Sequence, residues 1–156
     1  MASNRHLGRI VALQTLYEYE FRLEAENTSV DVKEILSRNL ARYETAIDDT
    51  KFVDTLVSGV LKEQADIDAK IQPIAPDWPI EQIARVDRNI LRLGIYELLH
   101  QADVVPPKVV INEAVELAKA FGSDNSSKFV NGVLGTAYRT LVEGAENGDT
   151  TNTTVR

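Results

Sequence analysis

Cysteine is absent from this chain, histidine occurs twice, and no apolar run is long enough to cross a bilayer. Without cysteine there can be no disulfide framework, no thiolate metal ligand and no cysteine nucleophile. His6 near the amino terminus and His100 at a helix end offer few partners for acid–base or nucleophilic chemistry, and no Gly-rich phosphate loop is present. Acids such as Glu113 and Glu116 have no histidine nearby and read as a solvated helix face. No metal, cofactor or enzymatic activity is therefore expected. A membrane helix needs about 20 apolar residues, and the opening MASNRHLGRI has basic residues but no apolar stretch leading to a cleavage-like site. Neither a signal peptide nor a membrane span is expected, and the cytoplasm is the default compartment.

Strand-like alternation is also scarce, so helical periodicity carries the reading. The 156 residues suit one all-α domain that buries roughly 70% of its unfolded surface. A first helix is expected from Arg5 to Leu23, with Leu7, Ile10, Val11, Gln14, Tyr17 and Phe21 as its stripe and Asn27, Thr28 and Ser29 marking the next start. A second helix uses Val32, Ile35, Leu36 and Leu40. Thr45 to Asp49 opens a third, with Phe52, Val53, Leu56, Val57, Val60 and Leu61 inward.

Three prolines in IQPIAPDWP, residues 71–79, read as a hinge between halves. Asp77 then caps the longest helix, which has Pro79 in its first turn and runs to about Gln101. That helix is apolar over more than half its circumference, so it should be central. Its polar stripe of Glu81, Arg85, Arg88 and Arg92 reads as a solvated face with a Glu81–Arg85 pair. Pro107 opens a fifth helix, Gly122 supplies a left-handed cap, and Asp124 or Asn125 caps a last helix from Ser126 to about Val142. That helix buries Phe129, Val130, Val133, Leu134, Ala137 and Leu141. Residues 144–156 have too little apolar surface to offset ordering entropy and read as a disordered tail.

The net charge of −7 argues against a polyanionic partner, but the acidity is local. Residues 1–17 hold Arg5, His6 and Arg9 with no acid, whereas residues 18–70 hold thirteen acids against seven bases, a balance of −6. The acidic stretch reads as a solubilising surface. Arg5 and Arg9 are either a solvated pair or a small phosphate site beside a helix N-terminus. In GSDNSSKFVNGVL, residues 122–134, Gly132 and Gly135 serve either close helix packing or an open surface. On such a surface Asp124, Asn125, Ser126 and Ser127, followed by Lys128 and Asn131 beside Phe129, could meet single-stranded RNA.

The segment PKVVINEAVELAKAFGSDNSSKFVNGVL, residues 107–134, closely resembles the NusB transcription antitermination family. The spacing of Arg9, Ala12, Gln14, Leu16 and Tyr17 and the segment VDRNILRLGIYEL, residues 86–98, are similar too, so the resemblance spans about residues 5–142. It implies two three-helix bundles packed across one another, with residues 1–143 forming a helical RNA-binding domain. It further implies binding to the boxA element of ribosomal RNA leader transcripts together with NusE, a ribosomal small-subunit protein. The assembly then joins other Nus factors on RNA polymerase, suppressing termination and supporting rRNA synthesis. Carried over, the RNA surface is Arg5 and Arg9 with Asn125, Ser127, Lys128, Phe129 and Asn131, and Tyr17 and Asp87 face NusE. Many relatives begin with a longer arginine run, so RNA binding here is expected to lean on NusE. The alternatives are a protein-only helical scaffold or homodimer, and an accessory module of an rRNA cytosine methyltransferase. With no methyl-donor site before Arg156, a stand-alone factor is expected over that module.

Overall fold

The structure, a computed structural model, describes residues 4–25, 29–43 and 45–144. The proposed tail beyond Gly144 and the Asn27–Thr28 helix start lie outside the described residues. Those residues form six α-helices and no strand, in keeping with the all-α expectation. The chain divides into two compact units, Met1–Glu63 and Gln64–Arg156.

The first unit holds α1 (Arg5–Glu24), α2 (Val32–Ala41) and the opening turns of α3 (Thr50–Ile74). Side-chain oxygens cap each start, satisfying amides that a helix leaves without partners. Asn4 accepts from the Leu7 amide at 3.3 Å, Asp31 from Lys33 at 3.0 Å and Asp49 from Phe52 at 3.0 Å. The α3 stripe is buried through Phe52, Val53, Leu56, Val57 and Val60 as its spacing predicts.

The α1 stripe is displaced from its expected position. The buried face runs through Gly8, Val11, Ala12, Thr15 and Leu16, while Tyr17 and Phe21 are exposed. Small residues make the contact because α1 approaches closely: a Cβ at Gly8 would lie 3.0 Å from Val53 Cγ2. Of the expected stripe only Val11 is fully buried, while Leu13 and Leu16, outside that stripe, are in the core. Within this core, Asn39 of α2 donates to Thr15 Oγ1 of α1 at 3.1 Å, satisfying two buried polar groups.

The prolines do not separate the units. Helix α3 continues through Pro73 to Ile74, and the division between units falls at residues 63 and 64 inside it. Pro73 has no amide to bond the Ala69 carbonyl, and the helix ends one residue later. Gln72 then folds the following turn. Its amide nitrogen donates to the carbonyls of Ala75 (3.3 Å) and Trp78 (2.9 Å), and its carbonyl accepts from the Ile80 amide (3.0 Å).

The second unit is built around α4 (Arg85–His100), flanked by α5 (Pro107–Phe121) and α6 (Ser126–Ala137), with a π-helical turn at Tyr138–Glu143. Helix α4 is central as predicted, buried without interruption from Asp87 to Leu98. It starts later than expected and is shorter than α3, because Ile83 and Ala84 are extended and Ile80–Gln82 form a separate 3-10 turn. Glu81 and Arg85 are thus not one helical turn apart.

The arginine stripe is not solvated either, since Arg88 and Arg92 are buried. Arg88 donates to the carbonyls of Ile83 (2.9 Å) and Ile80 (3.3 Å), which fastens the 3-10 turn to α4. Arg92 makes a two-pronged pair with Asp68 of α3, Nε to Oδ1 and Nη2 to Oδ2, both 2.8 Å. The acidic stretch is correspondingly not all solvent-facing: Asp68 meets Arg92, and Glu18 of α1 accepts from Arg22 and Arg38.

Candidate functional site

The sequence-predicted residues fall on both units. In the first, Arg5 and Arg9 lie one helical turn apart and share a ring. Their guanidinium carbons sit 4.8 and 5.2 Å from the Phe52 ring centroid, within cation–π range. Arg5 also pairs loosely with Asp49 at 3.8 Å and is half-buried. Arg9 is 3% exposed, so the reading of both arginines as a solvated pair does not hold. Tyr17 is 37% exposed on the outward face of α1, with Phe21 one turn further on.

In the second unit the start of α6 is shaped by Gly122. Its backbone is extended, φ −91° and ψ −168°, so it is not the left-handed cap expected of it. Glycine is needed for space: a Cβ there would lie 2.5 Å from Ser126 Cβ and 2.8 Å from the Ala118 carbonyl oxygen. Ser126 is buried, and its hydroxyl accepts from the Ser123 amide at 2.9 Å, closing the loop into α6. Asn125 stands at the cap position without a side-chain capping bond.

Asn125, Lys128, Phe129 and Gly132 follow at helical spacing and face two open clefts. The first, about 350 Å³, is lined among others by Trp78, Ile83, Asp87, Ser123, Asn125 and Phe129. The second, about 280 Å³, is lined by Ala75, Asp77, Trp78, Lys128, Phe129 and Gly132 among others. Trp78 and Phe129 wall both. Ser127 and Asn131 line neither, although Asn131 is exposed.

Gly132 has nothing within 4 Å of a Cβ position, and at Gly135 only Arg139 comes near, at 3.5 Å. The packing account of these glycines is therefore wrong. The close helix contact is made by Gly94 instead, where a Cβ would lie 2.7 Å from Leu134 of α6.

Asp87 is 9% exposed, and its Oδ1 is buried without a hydrogen-bond partner where the residue lines the first cleft. Trp78, which sequence reasoning passed over, is 54% exposed. The available signal was a tryptophan set among prolines outside any helical stripe. Among the described residues no cluster of histidine and carboxylates could hold a metal, and no helix is long and apolar enough to cross a membrane.

Comparison with known proteins decides the family, since the sequence model of the NusB family matches residues 6–139. The chain belongs to the NusB family. The transcription antitermination protein NusB of Chloroflexus aggregans is 43% identical over 149 residues, covering 94% of this chain and 95% of that protein. NusB of T. maritima superposes with a TM-score of 0.78 at 33% identity, covering 89% of this chain and 93% of that one. A crystal structure of antitermination factors NusB and NusE in complex with dsRNA gives 0.73 at 26% identity, covering 87% and 96%. The NusB fold thus accounts for both units described above.

Proposed function

We infer that this chain is a transcription antitermination factor that binds boxA RNA of ribosomal RNA leader transcripts together with NusE, suppressing termination and supporting rRNA synthesis. It acts as an adaptor in the cytoplasm, not as a catalyst, and joins other Nus factors on RNA polymerase. The observation that carries this reading is the open face of α6. Asn125, Lys128 and Asn131 stand in solvent beside half-buried Phe129, above a glycine that no packing requires. An amide, a cation and an aromatic ring are what unpaired RNA is read with: base-edge bonds, phosphate contact and stacking. The relative crystallised with NusE and dsRNA gives independent support.

Arg5 adds a second phosphate contact from the amino-terminal segment. Arg9 works from beneath it, holding the shared Phe52 ring. Ser127 and Asn131 extend the polar surface of α6 beyond the clefts. NusE meets Tyr17 on the outward face of α1 and Asp87 on α4, whose unmatched buried oxygen needs a donor that a partner can supply. Burying such an oxygen without a donor costs about 1–3 kcal/mol, which makes a partner's hydrogen bond there worth forming.

Fluorescence anisotropy of labelled boxA-type RNA tests the reading, titrated with the chain alone and with NusE, against scrambled RNA and across a salt series. Preference for boxA that strengthens with NusE and weakens with salt is expected. Equal or absent binding of both RNAs in every condition would leave a protein-only scaffold.

A further inference from the structure

Trp78 has no role in the fold that its position explains. It is a large aromatic side chain left 54% exposed, yet the turn bearing it is firmly built. The Gln72 side chain bonds the carbonyls of Ala75 and Trp78 and the amide of Ile80, and the Trp78 amide donates to the Ala75 carbonyl at 3.1 Å. Four hydrogen bonds thus fix the turn that bears a ring packing does not enclose. Phe129 lines both clefts with it.

The clefts differ in their polar groups. The first is lined by Asp87, whose Oδ1 is unmatched, and suits a donor from a protein. The second is lined by Lys128, by Asp77, which is exposed, and by the bare backbone of Gly132. A cation fits a phosphate. An acceptor fits a base amino or imino group. A helix surface without a side chain lets a flat ring lie close.

Resting on the RNA reading above, we propose that the second cleft is a base pocket in which Trp78 and Phe129 hold one unpaired base of the bound RNA. Trp78 supplies the stacking face, Phe129 a second wall, and Lys128 takes the adjoining phosphate. Stacking of this kind tolerates different bases, because each has a π face, so the pocket adds affinity more than sequence choice. Discrimination is left to groups such as Asn125 and Asp77 at the edges.

Trp78 is the single tryptophan of the chain, so its emission reports on this pocket alone. Single-stranded boxA-type RNA is titrated into the full chain with NusE present, following tryptophan emission and anisotropy of the labelled RNA together. NusE without tryptophan is used, and NusE alone serves as control. Quenching that follows the anisotropy curve is expected. Trp78→Ala should weaken RNA binding roughly 5- to 150-fold, the span measured for losing one stacked base, and Trp78→Phe should recover most of it. Thermal melting of both variants keeps a folding defect distinct from lost contact, and Trp78→Phe carries the test if the alanine variant melts early. RNA that binds by anisotropy with no change in emission and with full affinity for Trp78→Ala overturns the pocket and leaves the antitermination reading standing. Quenching by NusE alone, unchanged by RNA, overturns it in favour of a protein contact. Absence of RNA binding by anisotropy removes both.

Discussion

The two units place their ion-paired arginines differently. In residues 4–63 most arginines meet their partners at the water's edge: Arg22 and Arg38 on Glu18, Arg5 on Asp49, with Arg9 under Phe52 the buried exception. In residues 64–144 Arg92 on Asp68 and Arg88 on backbone carbonyls are sealed in, while Arg85 is half-buried and Arg139 exposed. Exposed pairs are screened by solvent, while a buried cation that loses its partner keeps its desolvation cost. An ion-paired arginine is therefore a surface decoration in the first unit and a structural element in the second. Of the two arginines in the candidate interface, Arg5 keeps partial exposure and Arg9 does not.

Breaking the buried pair should have the largest effect. Asp68→Ala leaves Arg92 without its carboxylate and should cost about 3 kcal/mol in denaturant unfolding. A loss as small as that of an exposed pair would erase the distinction between units. Next is Gly122→Ala, which drives a Cβ into Ser126 and the Ala118 carbonyl. It should cost about 1–3 kcal/mol by overpacking and lower the melting temperature.

The mirror experiment is Gly132→Ala, ten residues on, where a Cβ meets nothing. Replacing an unneeded helix glycine should stabilise the protein by about 0.5–1 kcal/mol. The same variant should weaken RNA binding, so opposite signs in melting and anisotropy are the outcome to look for. The smallest effect belongs to Glu18, whose pKa is lowered chiefly by the hydrogen bond from Arg38 and further by Arg22. A depressed folded pKa stabilises above the ordinary glutamate range and loses that contribution as pH falls through the lowered value. Glu18→Gln should cost about 0.5 kcal/mol at neutral pH and nothing in acid, read from urea midpoints at both.

Much of this was legible beforehand, for identifiable reasons. Helix α3 announces itself through Phe52, Val53, Leu56, Val57 and Val60, because large side chains at a strict period meet a continuous core. The two-sided character of α4 is equally plain. What misled was the face of α1: Gly8 and Ala12 make it together with Leu13 and Leu16, and small residues give that face a weak signal beside Tyr17 and Phe21. The start of α4 depends on Arg88 reaching back to carbonyls eight and five residues earlier, a tertiary choice that local propensity does not encode. For the candidate site, Lys128 and Phe129 stood out as a polar-aromatic helix start. Trp78 did not, because its neighbours in space come from another helix.

The uninterrupted burial of α4 from Asp87 to Leu98 has a kinetic meaning. Fraying releases amides near surfaces and helix ends, Asp87 in the first turn among them, whereas the amides from Asn89 to Leu98 should reach deuterium only when the whole second unit opens. They should be the slowest-exchanging protons of that unit, and their common rate is its global unfolding clock. A ligand bound at α6 would slow that clock without touching a single α4 amide.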